Sequence, residues 1–149
     1  MANTINIGCT IDLSDLVQSR MLIQANSGGG KSVTARVIME ESFGKVPFIT
    51  FDRDGEYYTL KEHFPDVIVI GGSFPDLPLS LQSASLLPKE IIAGRLSVII
   101  DLSDLKSGQK QQYVKDFLEA LMDLPQTHWT PYLIFIEEAH FFCLSEDTE

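Results

Sequence analysis

The residues with the clearest chemical potential in this chain of 149 residues form a glycine-rich loop that ends in a lysine and a serine. The loop reads Ala25-Asn26-Ser27-Gly28-Gly29-Gly30-Lys31-Ser32. Three consecutive glycines let backbone N–H groups curl around anionic oxygens without a Cβ in the way. A helix that starts near Lys31 would point its positive end at the same place. The Lys31 ammonium suits a phosphate and the Ser32 hydroxyl suits Mg²⁺, so the loop has the chemistry of a phosphate-binding site.

The spacing of these residues matches the Walker A pattern, with Ala25 where glycine is usual. An apolar run precedes the loop and an amphipathic helical pattern follows it, which favours this interpretation over a flexible loop with an incidental Lys-Ser pair. The predicted nucleotide-binding residues are Asn26, Ser27, Gly28, Gly29, Gly30, Lys31, Ser32 and Val33.

A second motif lies more than one hundred residues later, where the apolar run Leu133–Ile136 ends in two glutamates. It is typical of a Walker B strand that delivers carboxylates to the ligand-binding edge of an α/β sheet. We expect Glu137 to hold Mg²⁺ together with Ser32, although aspartate is usual there and the extra methylene moves the carboxylate by roughly one bond length. We expect Glu138 to polarise the attacking water, with Lys31 as the second catalytic residue. A solvated acidic strand end is the alternative.

ATP is the expected nucleotide, with Mg²⁺ as its metal. A glutamate after the Walker B acid is a water-activating arrangement and favours hydrolysis over transfer to a small acceptor. The sequence contains no Asn-Lys-x-Asp motif for reading guanine. His140 is either a link between the γ-phosphate and neighbouring loops or a partly buried structural residue. The motifs thus predict an ATPase.

Strand and helix patterns alternate along the sequence, and the elements that they predict would position these residues. Together with the two motifs they predict an α/β fold of the RecA-like P-loop NTPase kind (the ASCE type), with a parallel sheet sandwiched by helices. The predicted strands are 20–25, 47–52, 67–70, 96–102 and 132–136; the predicted helices are 31–43, ended by Gly44, then 89–93 and 108–123; and 73–88 is predicted to be a long loop. We expect one domain over residues 1–149.

Composition limits the partners. The net charge is −10, which argues against a broad basic surface for nucleic acid. Residues 1–136 contain 16 acids and 11 bases, so contact with a polyanion would be local. Cys9 and Cys143 do not form a metal or redox motif and are expected to be reduced structural thiols. With no apolar run long enough for a membrane span and no leader pattern, we expect a cytoplasmic protein without membrane contact.

These motifs together resemble the HerA/FtsK-like ATPases, in particular the HerA-type (DUF87) helicase or translocase core. The resemblance rests on residues 20–32, on Asp52-Arg53-Asp54-Gly55-Glu56-Tyr57, on 96–103 and on Ile136-Glu137-Glu138-Ala139-His140. The Asp-x-x-Gly-Glu-Tyr segment is the most discriminating of these, and Arg53 replaces the proline that the family often has. For its three acids we predict a structural turn or a role at a subunit interface.

The resemblance implies a homo-oligomer, typically a hexameric ring, that moves duplex DNA and sometimes works with a nuclease. The polar sensor and arginine finger of such cores are expected after Glu149, so the resemblance implies a core shortened after Walker B, with a fold that is incomplete at its C-terminal side. Two alternatives stay open: a nucleotide-gated assembly switch or scaffold that moves no DNA, and a motor of the phage-packaging or conjugation kind. Pore loops cannot be assigned, since 73–88 is a candidate by length alone.

Overall fold

The computed structural model describes residues 3–143, which form a parallel β-sheet with helices on both faces. In chain order the elements are β1 (Thr4–Asn6), β2 (Thr10–Asp12), α1 (Leu13–Gln18), α2 (Lys31–Ser42), β3 (Phe48–Asp52), β4 (Ile68–Ile70), α3 (Ser83–Gly94), β5 (Val98–Asp101), α4 (Ser107–Met122) and β6 (Leu133–Ile136), with short 3₁₀ turns at Tyr58–Glu62, Gln126–His128 and Ala139–Phe141.

The sheet has four strands in the order β4-β5-β3-β6, all parallel. Thr50, at the centre of β3, lies between Ile99 of β5 and Phe135 of β6. Every residue of β3 and β5 is buried, as expected for strands covered on both faces. The predicted α/β fold with a parallel sheet and flanking helices is therefore confirmed.

Successive side chains along the strands are buried in two different hydrophobic cores, one on each face of the sheet. Phe48 packs on one face with Ile38 and Met39 of α2. On the opposite face, Phe51 packs edge-on against Phe117 of α4, with ring centroids 5.1 Å apart. Burial on both faces fixes the register of β3, because a shift by one residue would exchange the two cores.

A small antiparallel hairpin, β1–β2, and the short helix α1 precede the sheet, and the sequence patterns did not predict them. Asp12 caps α1 by accepting the Ser14 N–H at 2.7 Å. Ile5 of the hairpin and Leu13 of α1 are fully buried in the α2-side core. The hairpin therefore covers one end of that core.

The prediction of a first strand at residues 20–25 was wrong. This segment is irregular and joins no sheet among the described residues, and the side chain of Leu22 is 81% exposed. An apolar run becomes a strand only where another strand completes its hydrogen bonds. Ile23 still packs against the α2-side core, so the segment lies along the domain without pairing.

One smaller prediction also needs correction. Helix α3 begins at Ser83 rather than at residue 89, because the structure accommodates Pro88 inside the helix. On α2 the buried residues are Ile38, Met39 and Ser42, and Val33, one of the predicted nucleotide-binding residues, is 65% exposed. Among residues 3–143, no helix combines the length and the apolar character that a bilayer crossing requires.

Candidate active site

The two predicted motifs meet at the carboxyl-terminal edge of the sheet. The Ser32 hydroxyl donates to Glu137 Oε1 at 3.4 Å, and Lys31 Nζ lies 3.6 Å from Glu138 Oε1. All four residues line one cavity of about 540 Å³. Residues more than one hundred positions apart in the sequence therefore share a single site.

The loop before α2 has a backbone that only glycine accommodates easily. A Cβ on Gly29 would lie 2.5 Å from Ala25 Cβ and 2.8 Å from Asn26 O, while Gly28 and Gly30 have positive φ angles of 77° and 83°. A β-turn bond from Gly29 N–H to Asn26 O, 2.8 Å long, closes the loop. Ser27, at the exposed tip, completes this compact turn.

Helix α2 begins without a side-chain cap, with Gly30 at its N-cap. Thr34 N–H donates to Gly30 O at 2.9 Å, while N–H groups earlier in the turn have no carbonyl one helical turn behind them. These include the N–H groups of Lys31, Ser32 and Val33. An uncapped helix start of this kind favours an anionic ligand.

Glu137 is a partly buried carboxylate whose Oε2 has no hydrogen-bond partner. Burial is the main reason that its pKa rises to about 7, and the charges of Asp52, Glu56 and Asp54 add to the effect. The Ser32 hydroxyl opposes it. A cation that binds beside a carboxylate surrounded by other acids stabilises its ionised form.

Glu138 is held between two basic side chains. His140 Nδ1 lies 3.3 Å from its Oε2, opposite the contact with Lys31. The backbone of Glu138 adopts the left-handed conformation (φ 50°), which non-glycine residues rarely do and which is found at turns, helix caps and functional sites. The side chain of His140 is 80% exposed, so the interpretation as a partly buried structural histidine was wrong.

Sequence reasoning missed Tyr57, which also lines the cavity. It is 3% exposed, and its phenol is close enough to Ser32 and Glu137 for both to affect its pKa; burial raises that pKa most, Glu137 raises it further, and Ser32 lowers it. The signal for it was the Asp-x-x-Gly-Glu-Tyr segment, whose last residue is Tyr57.

The local chemistry fits a nucleotide with its magnesium ion. The uncapped start of α2 corresponds to a phosphate contact, and the unpaired Glu137 oxygen corresponds to a cation contact. Within the described range no three His, Cys, Asp or Glu side chains form a ready-made metal cage. Mg²⁺ in phosphate-binding sites typically needs only one or two carboxylates, with phosphates and water completing its shell.

Comparison with known proteins bears on the glycine-rich loop but not on Glu137 and Glu138. Searches of curated proteins and of solved structures returned no match. Residues 2–93, which are well over half of the chain and include the glycine-rich loop and the Asp-x-x-Gly-Glu-Tyr segment, match the family described as the central domain of the helicase HerA (DUF87). This family is one of ATPase domains, so it implies a nucleotide ligand. The chain belongs to the family of HerA helicase central domains.

Proposed function

We propose that this chain binds ATP with Mg²⁺ at the junction of α2 and β6 and hydrolyses it. The observation that carries the proposal is the meeting of Lys31 and Ser32 with Glu137 and Glu138, at 3.4 and 3.6 Å. A phosphate-binding lysine and two carboxylates at one sheet edge are the groups that phosphoryl transfer to water needs.

Each residue has a separate task in this proposal. Backbone N–H groups of residues 26–33 surround the phosphates, except that of Gly29, which donates to Asn26 O, and Lys31 neutralises the phosphate charge. Ser32 and Glu137 hold Mg²⁺, which supplies charge neutralisation at the phosphate oxygens when bound. Glu138 accepts a proton from the attacking water and orients it. Because the same Lys31 contacts both the phosphates and Glu138, the base stays close to the reacting bond.

We further propose that hydrolysis drives movement of duplex DNA by an assembly of several copies. Membership of the HerA family supports this proposal. The chain's net charge of −10 favours a second candidate, an assembly switch in which ATP occupancy controls association and no DNA moves. The two candidates differ in whether DNA changes the rate of ATP turnover.

The hydrolysis proposal is tested with two substitutions in the same site. Glu138→Gln removes the base but keeps the shape, so ATP binding should persist while turnover falls by roughly 10²-fold or more. Lys31→Ala should weaken ATP binding itself. Calorimetric titration measures binding and phosphate release measures turnover. Glu41→Gln, on the exposed side of α2, is the control and should change neither.

Unchanged turnover in Glu138→Gln would refute the assigned base, and unchanged affinity in Lys31→Ala would refute the phosphate site. For the motor, duplex DNA is added at low salt and ATP turnover is compared with and without it. Stimulation supports translocation. ATP-dependent assembly, measured by light scattering, without any DNA effect supports the switch.

A further inference from the structure

The turn after β3 is held by one buried carboxylate. Asp52 is fully buried and accepts three backbone N–H groups, from Gly55 at 2.8 Å, Glu56 at 3.1 Å and Tyr57 at 2.9 Å. Three bonds to one side chain fix the path of the five residues that follow the strand. The Asp-x-x-Gly-Glu-Tyr segment is therefore a rigid turn whose last member is Tyr57.

Gly55 allows the turn to pack closely against the neighbouring strand end. Its φ is 77°, and a Cβ there would lie 3.1 Å from Asp101 Oδ2 and 3.2 Å from Ser103 Oγ. Asp101 in turn accepts the Ser103 N–H at 2.9 Å. The turn is thus braced from the adjacent strand β5 and has little freedom to shift.

This bracing determines where the Tyr57 phenol lies. Its side chain is 3% exposed and reaches the cavity beside Ser32 and Glu137, the pair joined at 3.4 Å. The next residue, Tyr58, does not line that cavity; its ring stacks on Phe74 with centroids 4.8 Å apart. Adjacent tyrosines on one turn therefore have different surroundings.

We propose that Tyr57 is a positioning residue for magnesium: its hydroxyl orients the Ser32–Glu137 pair, and the Asp52 turn holds Tyr57 in place. Ser32 must present an oxygen to the metal, and Glu137 must ionise beside other acids. A phenol fixed in the cavity that both residues line limits the rotamers open to them and favours the binding arrangement. This inference rests on the proposed function of the site, because it assigns a role in the binding of the same Mg²⁺.

The test compares Tyr57→Phe with Tyr58→Phe, each of which removes one hydroxyl. ATP turnover is measured against Mg²⁺ concentration, and ATP affinity is measured separately in EDTA. Tyr57→Phe should raise the Mg²⁺ concentration for half-maximal turnover roughly ten-fold, the size of effect that one polar contact to a charged group has, with turnover restored by excess Mg²⁺. ATP affinity in EDTA should be unchanged, and Tyr58→Phe should behave as the wild type.

A second control separates positioning from stability. Tyr113 is as buried as Tyr57 and its hydroxyl lies 2.9 Å from Ser83 Oγ, remote from the cavity lining. Tyr113→Phe should lower the melting temperature without changing the Mg²⁺ dependence.

The outcomes distinguish a failure of the positioning role of Tyr57 from a failure of the proposed ATPase function. If Tyr57→Phe keeps the wild-type Mg²⁺ dependence while wild-type turnover requires Mg²⁺, the positioning role is refuted and the proposed function stands. If Tyr57→Phe instead loses melting temperature and EDTA-state affinity together, its role is structural and the inference is also refuted. A wild-type chain that neither binds nor hydrolyses Mg²⁺–ATP refutes both.

Discussion

At the scale of single residues, Glu137 shows most directly how the fold changes the pKa of a partly buried carboxylate. Burial and the charges of Asp52, Asp54 and Glu56 raise its pKa to about 7 from an ordinary value of 4.5. The folded chain therefore disfavours the ionised carboxylate, whereas the unfolded chain does not. Burial also raises the pKa of Asp52, so both carboxyl groups make the folded state less stable as the pH rises.

This shift predicts how stability depends on pH in the absence of metal. An acid whose pKa is raised by folding contributes stability that is present below its unfolded pKa and lost as pH rises through the folded pKa. Glu137 should therefore reduce the free energy of unfolding between about pH 4.5 and about pH 7. The loss is at most about 3 kcal/mol, and solvent at this partly exposed group makes it smaller.

Urea unfolding in EDTA across this pH range checks the prediction. Glu137→Gln should flatten the profile without abolishing it, because Asp52 remains. Glu41→Gln, an exposed carboxylate on α2, should leave the profile unchanged. A Glu137→Gln profile as steep as that of the wild type would contradict the assigned origin of the shift.

The sequence predicted the proximity of some site residues and not of others. Lys31 and Ser32 begin the helix after a glycine-rich loop, and Glu137 and Glu138 follow a parallel strand. Ligands in α/β sheets bind where strands end and helices begin, so their meeting was predictable. Tyr57 was not, because its position depends on three hydrogen bonds to a buried carboxylate within an irregular turn. Nothing in the spacing of residues encodes that turn's direction.

At the scale of elements, predictions were correct where local patterns and tertiary context agree. Strands β3 to β6 and helices α2 and α4 lie within about two residues of their predicted bounds. The segment 20–25 has the apolar character of a strand but no partner in the described part of the chain. Helix α3 shows the opposite error, since packing of Ala84, Ile91 and Ile92 outweighs the cost of Pro88.

The end of α3 gives a prediction about backbone strain. Arg95 caps the helix in the left-handed conformation (φ 49°), with its N–H shared between Ile91 O and Ile92 O. Glycine adopts this conformation without a Cβ clash, so Arg95→Gly should raise the free energy of unfolding by about 1 kcal/mol. Thermal melts should show a rise of about 2–4 °C.

Arg95→Ala separates the backbone from the side chain. It removes the charge and the long stem but keeps the Cβ, so it should not stabilise the chain. An equal gain from Arg95→Ala and Arg95→Gly would mean that the arginine side chain, rather than the positive φ, is the source of the strain.

At the scale of the whole molecule, the site brings together two segments that have few or no strand pairings with the rest of the described domain. The segment 20–26 has no strand pairing within residues 3–143, and β6 pairs only with β3 there. Arg20, Met21 and Ile23 of this segment line the same cavity as all four residues of β6. A ligand that contacts the loop before α2 and the end of β6 would therefore couple them, and its binding energy would add to the stability of the folded domain.

This coupling predicts a change in both stability and local dynamics. At an ATP concentration on the order of 100 times the Kd, binding contributes about 2.7 kcal/mol, which corresponds to a melting-temperature rise of about 5–10 °C. Without nucleotide, backbone amides in 20–26 should exchange faster than those of β3, because they lack a hydrogen-bond ladder. With Mg²⁺–ATP, amides of 20–32 and of 133–138 should gain protection together, while α4 changes little.

Lys31→Ala should abolish the temperature rise and the gain in protection at the same ATP concentration. It removes the ammonium group that is proposed to bind the phosphates, so the chain would bind ATP weakly. Thermal melts and hydrogen exchange with mass spectrometry give the two readouts. Protection confined to 20–32, with β6 unaffected, would mean that the nucleotide does not reach Glu137 and Glu138. The loop would then bind phosphate without forming a hydrolytic site, since hydrolysis requires the carboxylates of the β6 end as well.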